Sequence, residues 1–181
     1  TQAKTLFPYT TLFRSNLPFD HARPSGEMTH AGGFVEFELS EEVVLGLERL
    51  TKKYHMTMYM VLLSAFQIVL HRYSGDSVVL VGSPFANRRV SEVQEMIGFF
   101  VNTLVLRGYF GDRGLTVKQF LEQMRETVLE AYEYADMPFE QLVQVLEVAR
   151  QANVNPVFQV MFAYEDLFGG TNQPADESSH E

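Results

Sequence analysis

Ile97-Gly98-Phe99-Phe100-Val101-Asn102-Thr103-Leu104-Val105-Leu106-Arg107 carries the strongest structural signal in the chain. Its apolar residues run on without the alternation of a strand that has one wet face. It therefore predicts a strand over 99–106 that is covered on both sides. Asn102 interrupts that run. A buried amide needs partners for its carbonyl oxygen and for its NH2, so Asn102 either pins the strand to a neighbouring backbone or helps line a channel. About thirty residues on, Asp136-Met137-Pro138-Phe139-Glu140 reads as a helix start. Pro138 suits the first turn, where no amide donor is needed. Asp136 is the expected cap, Phe139 a core residue, and Glu140 a favourable charge at the positive end of the helix.

On the N-terminal side, residues 32–39 alternate Phe34, Val35, Phe37 and Leu39 with Glu36 and Glu38, the pattern of a half-buried strand. Ser40 caps an amphipathic helix over 41–54, and Thr57 caps a second, nearly all apolar, that ends at His71-Arg72. A strand over 77–81 follows, ended by Gly82-Ser83-Pro84. Ser91 is the expected cap of a short helix through Met96. Thr116 caps a helix reaching about Tyr134, the helix opened at Asp136 or Met137 runs to about Val148, and residues 157–164 form a last strand. The order β-α-α-β-α-β-α-α-β predicts an α/β chain with a mixed β-sheet covered by helices.

Composition narrows the function classes. Of 181 residues 46% are hydrophobic, and fifteen Phe and eight Tyr supply core bulk, as in a soluble globular domain. No apolar run reaches the roughly 18 residues of a membrane span. A formal charge of −9 opposes nucleic-acid binding, which needs clustered cations. The absence of Cys excludes disulfides and thiolate chemistry and fits a reducing compartment. His21, His30, His55, His71 and His180 make no metal-ligand spacing. His71 to Asp76 holds His, Gly and Asp, but with one His and Gly before Asp, and His71 reads as a helix C-terminal residue. No Gly-rich phosphate loop or G-x-S-x-G turn is present. Catalytic, cofactor-binding and metal-ligating residues are therefore all expected to be absent.

The two segments quoted first resemble the fifth and sixth core motifs of the condensation domain of nonribosomal peptide synthetases. Residues 16–166 keep the family's order: LPFDHARP leads in, HRYSGD and VGSPFANRR follow the helix pair, and NPVFQVMFAYED is similar to the seventh motif and its strand. Departures are Tyr134-Ala135 at the start of the sixth motif and Arg150-Gln-Ala-Asn-Val-Asn-Pro156 in the seventh. The family's catalytic HHxxxDG motif does not occur in these 181 residues. The motif residues are Gly98, Asn102, Arg107, Asp136, Pro138, Phe139, Glu140, Arg150, Asn155 and Pro156. Arg107 and Arg150 can each hold a carboxylate, as a tether between lobes or as a surface pair.

The resemblance implies one lobe, the C-terminal one, of a two-lobed fold like that of chloramphenicol acetyltransferase. A tunnel between lobes would be entered by two phosphopantetheine arms, where an amine attacks a thioester and an amide forms. The HHxxxDG histidines belong to the other lobe. The chain is thus expected to be an inactive fragment, with a non-catalytic carrier-protein-binding or interface module as the alternative. The arm of a carrier protein is the implied substrate carrier, with no directly bound cofactor. Implied partners are the missing N-terminal lobe, peptidyl or aminoacyl carrier proteins and an adjacent adenylation domain, in the cytoplasm, with no nucleic acid or membrane. Residues 16–167 form the lobe and 168–181 an acidic disordered tail or linker. Residues 1–15 are read as non-native, because the eleven residues Thr5 to Ser15 match a translated sequencing adapter. Without Lys4 and Arg14 the fourteen basic side chains become twelve against 23 acids, a net of −11.

Overall fold

A computed structural model describes residues 17–18, 32–88, 90–111, 114–147 and 155–165. Residues 1–15, nearly all of the 16–30 connector, Arg150 and the 168–181 tail lie outside the described residues.

Five helices and a two-stranded ribbon make up the regular structure among the described residues. They follow the order α1 (Glu41–Tyr54), α2 (Met58–Ser74), β1 (Val78–Phe85), α3 (Ser91–Gln94), β2 (Asn102–Tyr109), α4 (Val117–Glu133) and α5 (Phe139–Leu146). The caps read from sequence form where side-chain oxygens meet free amides. Ser40 Oγ accepts from Val43 N and Thr57 Oγ1 from Met60 N. Thr116 builds a reciprocal capping box with Gln119. Ser91 is not a cap; it is the first residue of α3, and Val90 at the cap position supplies no side-chain bond.

β1 and β2 pair antiparallel, with Val78 opposite Tyr109 and Phe85 opposite Asn102. Side chains alternate across a strand, and both faces are covered. Val79, Val81 and Leu106 join α2 and α4 through Met60, Leu63, Phe120, Met124 and Val128. Leu80 and Val105 face the other way, into Val143 and Leu146 of α5 and the segment carrying Val157 and Phe158. This two-sided burial is why the strand sequences run apolar without alternation.

Three expectations are corrected. Residues 32–39 form no strand: they pair with neither β1 nor β2, and Phe34, Val35 and Phe37 are 82–89% exposed. The expected strand over 157–164 shrinks to a parallel bridge between Gly82 and Met161, in which Gly82 N donates to Val160 O and Phe162 N to Gly82 O. The sheet is correspondingly narrow. β2 begins at Asn102 rather than 99, because residues 95–101 form a loop. Conversely β1 continues through Pro84. The backbone bonds to the 160–162 segment are made by Gly82, so the exposed Pro84, two residues on, turns its missing donor to the edge beyond them.

Candidate functional site

Asn102 ties the two quoted motifs together. Its Nδ2 donates to Ala135 O at 2.7 Å and Met137 O at 2.8 Å, and its Oδ1 accepts from Phe139 N at 3.2 Å and from its own neighbour Thr103 N at 2.8 Å. One amide thus closes the α4–α5 connection onto the start of β2 and fills both roles a buried Asn requires. The expected cap on α5 is corrected here. Pro138 occupies the cap position without a side-chain bond, Asp136 is exposed, and the acceptor for the first helical amide comes from Asn102, far away in sequence.

The other motif residues fall around this knot. Phe139 packs 5.5 Å from the Phe158 ring in the second core, and Glu140 is exposed in the first turn of α5. Asn155 Oδ1 accepts from Val157 N and Phe158 N, turning the chain into its bridge with Gly82, with Pro156 half-buried between. Gly98 leaves room for the Phe100 ring, whose Cε2 lies 2.8 Å from where a Cβ would stand. Arg107, half-buried opposite Leu80, has no carboxylate within ion-pair distance among the described residues, and Arg150 lies outside them.

A cavity of about 270 Å³ opens at the same end of the ribbon, lined by Tyr59, Ser83, Leu104, Tyr132, Tyr164 and Glu165 among others. Ser83 is its most constrained polar group, only 3% exposed. Tyr59 Oη donates to Ser83 Oγ at 2.7 Å, and Ser83 Oγ donates to Phe162 O at 2.8 Å. A hydroxyl has one proton and two lone pairs. With its proton and one lone pair committed, Ser83 keeps a single acceptor site. Burial pushes the Tyr59 phenol up to about 12, against the opposing hydrogen bond with Ser83, and also raises Tyr132. Both phenols are neutral across the physiological range. With the Glu165 carboxylate at the rim, the cavity favours a ligand that donates hydrogen bonds, such as an amine.

None of Tyr59, Ser83, Tyr132 and Glu165 was singled out from sequence. The readable signal was Ser83, a polar residue at the next inward-facing position after Val79 and Val81. No group of His, Asp or Glu able to hold a metal ion occurs among the described residues.

The Condensation domain family model matches residues 10–181. The chain belongs to the condensation-domain family of nonribosomal peptide synthetases. Among relatives of this condensation-domain segment, one of the linear gramicidin synthase proteins of Brevibacillus parabrevis is 44% identical over 83% of the chain. One of the plipastatin synthase proteins of Bacillus subtilis is likewise 44% identical, over 84%. The chain spans only 3% and 6% of those two proteins. Among solved structures, a four-domain nonribosomal peptide synthetase (holo-AB3403, bound to AMP and glycine) superposes with a TM-score of 0.80 at 29% identity, over 85% of this chain and 12% of that one. The X-domain from teicoplanin biosynthesis shares the fold at TM-score 0.75 and 24% identity, over 82% of this chain and 32% of its own. The α/β expectation and the family assignment both stand.

Proposed function

We propose that this segment is the C-terminal lobe of a condensation domain that joins carrier-bound aminoacyl or peptidyl thioesters through an amide. The observation that carries it is the 44% identity to a synthetase protein over 151 residues, with the fifth- and sixth-motif segments joined through Asn102. The lobe spans residues 16–167, with 168–181 as a linker and 1–15 non-native. The two thioesters arrive on phosphopantetheine arms of carrier proteins, and an adenylation domain of the same cytoplasmic assembly activates the amino acids. The lobe binds no cofactor of its own.

The chemistry required of a condensing site is to orient an amine against a thioester carbonyl and to accept its proton as the amide forms. Much of the rate in such a reaction comes from positioning, with a base near neutral pKa helping. No histidine lies among the residues named for the cavity, and the sequence lacks HHxxxDG. What this lobe supplies is the acceptor face: the remaining lone pair of Ser83 and the Glu165 carboxylate suit the N–H groups of the incoming amine.

The test is dipeptide formation from two aminoacyl carrier proteins. The 181-residue chain alone is expected to give none above background, and the whole condensation domain that carries it to give product. Carrier binding by that whole domain without product would favour a non-catalytic interface module.

A further inference from the structure

We propose that the Ser83 cavity selects an amine substrate with a second, permanent positive charge on its side chain, an amino acid of the lysine or arginine class, and that Glu165 is the residue that selects it. The proposal rests on the reading of this cavity as the face of a condensing site that receives the incoming amine.

The lining is suited to cations. Among the described residues it includes Tyr59, Tyr132 and Tyr164, the Ser83 hydroxyl and the Glu165 carboxylate, and no Lys, Arg or His. Two of the rings are held in place. Tyr59 is fixed by its bond to Ser83 and by the Phe162 ring 5.7 Å away, and Tyr132 stacks on Phe85 at 5.1 Å. Aromatic rings attract a cation through their quadrupole, and rings fixed beforehand lose little entropy when it arrives. An anion gains nothing comparable. The protons of Tyr59 and Ser83 are already donated, to Ser83 and to the Phe162 carbonyl.

Ser83 and Glu165 both suit N–H donors, but not on the same nitrogen. An amine that attacks a thioester must be uncharged, with its lone pair free. A carboxylate against that nitrogen favours the ammonium form and so opposes attack. The remaining lone pair of Ser83 accepts an N–H of the neutral amine without that penalty. Glu165, exposed at the rim and in no ion pair among the described residues, is left for a group that stays charged. A side-chain ammonium or guanidinium, several bonds from the reacting nitrogen, is such a group, and a cavity of about 270 Å³ has room for it. An acidic amino acid would bring like charge to Glu165, and a neutral one would leave the carboxylate without a partner. A partly exposed pair of this kind discriminates by about three- to tenfold.

The experiment uses the whole condensation domain that carries this sequence. One donor carrier protein is paired with amine-side carriers loaded with arginine, its uncharged isostere citrulline, or glutamate. Arginine is expected to exceed citrulline in kcat/KM by about three- to tenfold at low salt, with glutamate slowest, and the preference should shrink as ionic strength rises. Glu165→Gln should bring the arginine rate down to that of citrulline, and Glu165→Lys should place glutamate above arginine. Equal rates for arginine and citrulline, or a preference that survives Glu165→Gln, would overturn the proposal. Binding is measured apart from chemistry by titrating the same domain with arginine amide and with citrulline amide. Tighter, Glu165-dependent binding of arginine amide by a domain that makes no product would reject the activity and leave the cation site standing. Product formed with no difference between the two amides or the two substrates would reject the cation site and leave the activity. Neither product nor preferential binding would overturn both.

Discussion

Among single residues, Asn102 carries the most consequence per atom. Four backbone groups depend on its side chain, including the first amide of α5. Asn102→Ala leaves several of them without a partner, each costing about 1–3 kcal/mol where water cannot replace it. A loss of roughly 2–4 kcal/mol is expected, read as a lower urea midpoint with an unchanged m-value. Tyr59 adds a pH dependence. A phenol is uncharged when protonated, so burial makes the folded chain hold this proton more tightly than the unfolded chain. Its folded pKa of about 12 stands above the ordinary 10.0. The contribution is complete below pH 10 and is lost as pH rises through 12. Stability should fall over that window, and Tyr59→Phe should flatten the fall at the cost of the bond to Ser83. An identical alkaline profile in the variant would refute this assignment.

Among elements, the ribbon and its third, bridged segment are held by close approach. Gly82 gives its N–H and carbonyl to that segment while the Phe158 ring lies over its Cα, 2.4 Å from where a Cβ would stand. Gly82→Ala must displace a buried ring. A loss of about 1–3 kcal/mol is expected, with hydrogen exchange quickening at Phe162 before the β1–β2 ladder. The helices read well from sequence because their signals are local. Ser40, Thr57 and Thr116 each act within three residues of where they stand. α5 did not. Eight residues are too few to hold a helix alone, and its cap arrives from β2. No local reading of residues 136–140 contains Asn102.

For the whole molecule, the ribbon is buried on both faces, and the most exposed large apolar side chains among the described residues, Phe34, Val35, Phe37, Ile97 and Phe99, sit in the 34–37 stretch and the 96–101 loop. Exposed patches of this kind drive association. The isolated chain should elute in size exclusion as concentration-dependent oligomers, and Phe34→Ser with Phe37→Ser should move it toward monomer. A sharp monomer peak at all concentrations for the unchanged chain would contradict this.

The order of residues along the chain was enough to establish the family, the starts of the three helices capped by Ser40, Thr57 and Thr116, the apolar runs of β1 and β2 and the motif spacing, because periodicity, caps and order are properties of neighbouring residues. Even Asn102 was legible as a residue that had to find partners. Only the folded chain shows who those partners are, that Asp136 caps nothing, and that Phe34 and Phe99, with the apolar character of core residues, lie outside. Folding also brings Tyr59, Ser83, Tyr132 and Glu165 to one cavity from four separate segments. Burial and hydrogen bonding between distant segments depend on which surfaces meet, and a pattern read along one chain does not contain that information.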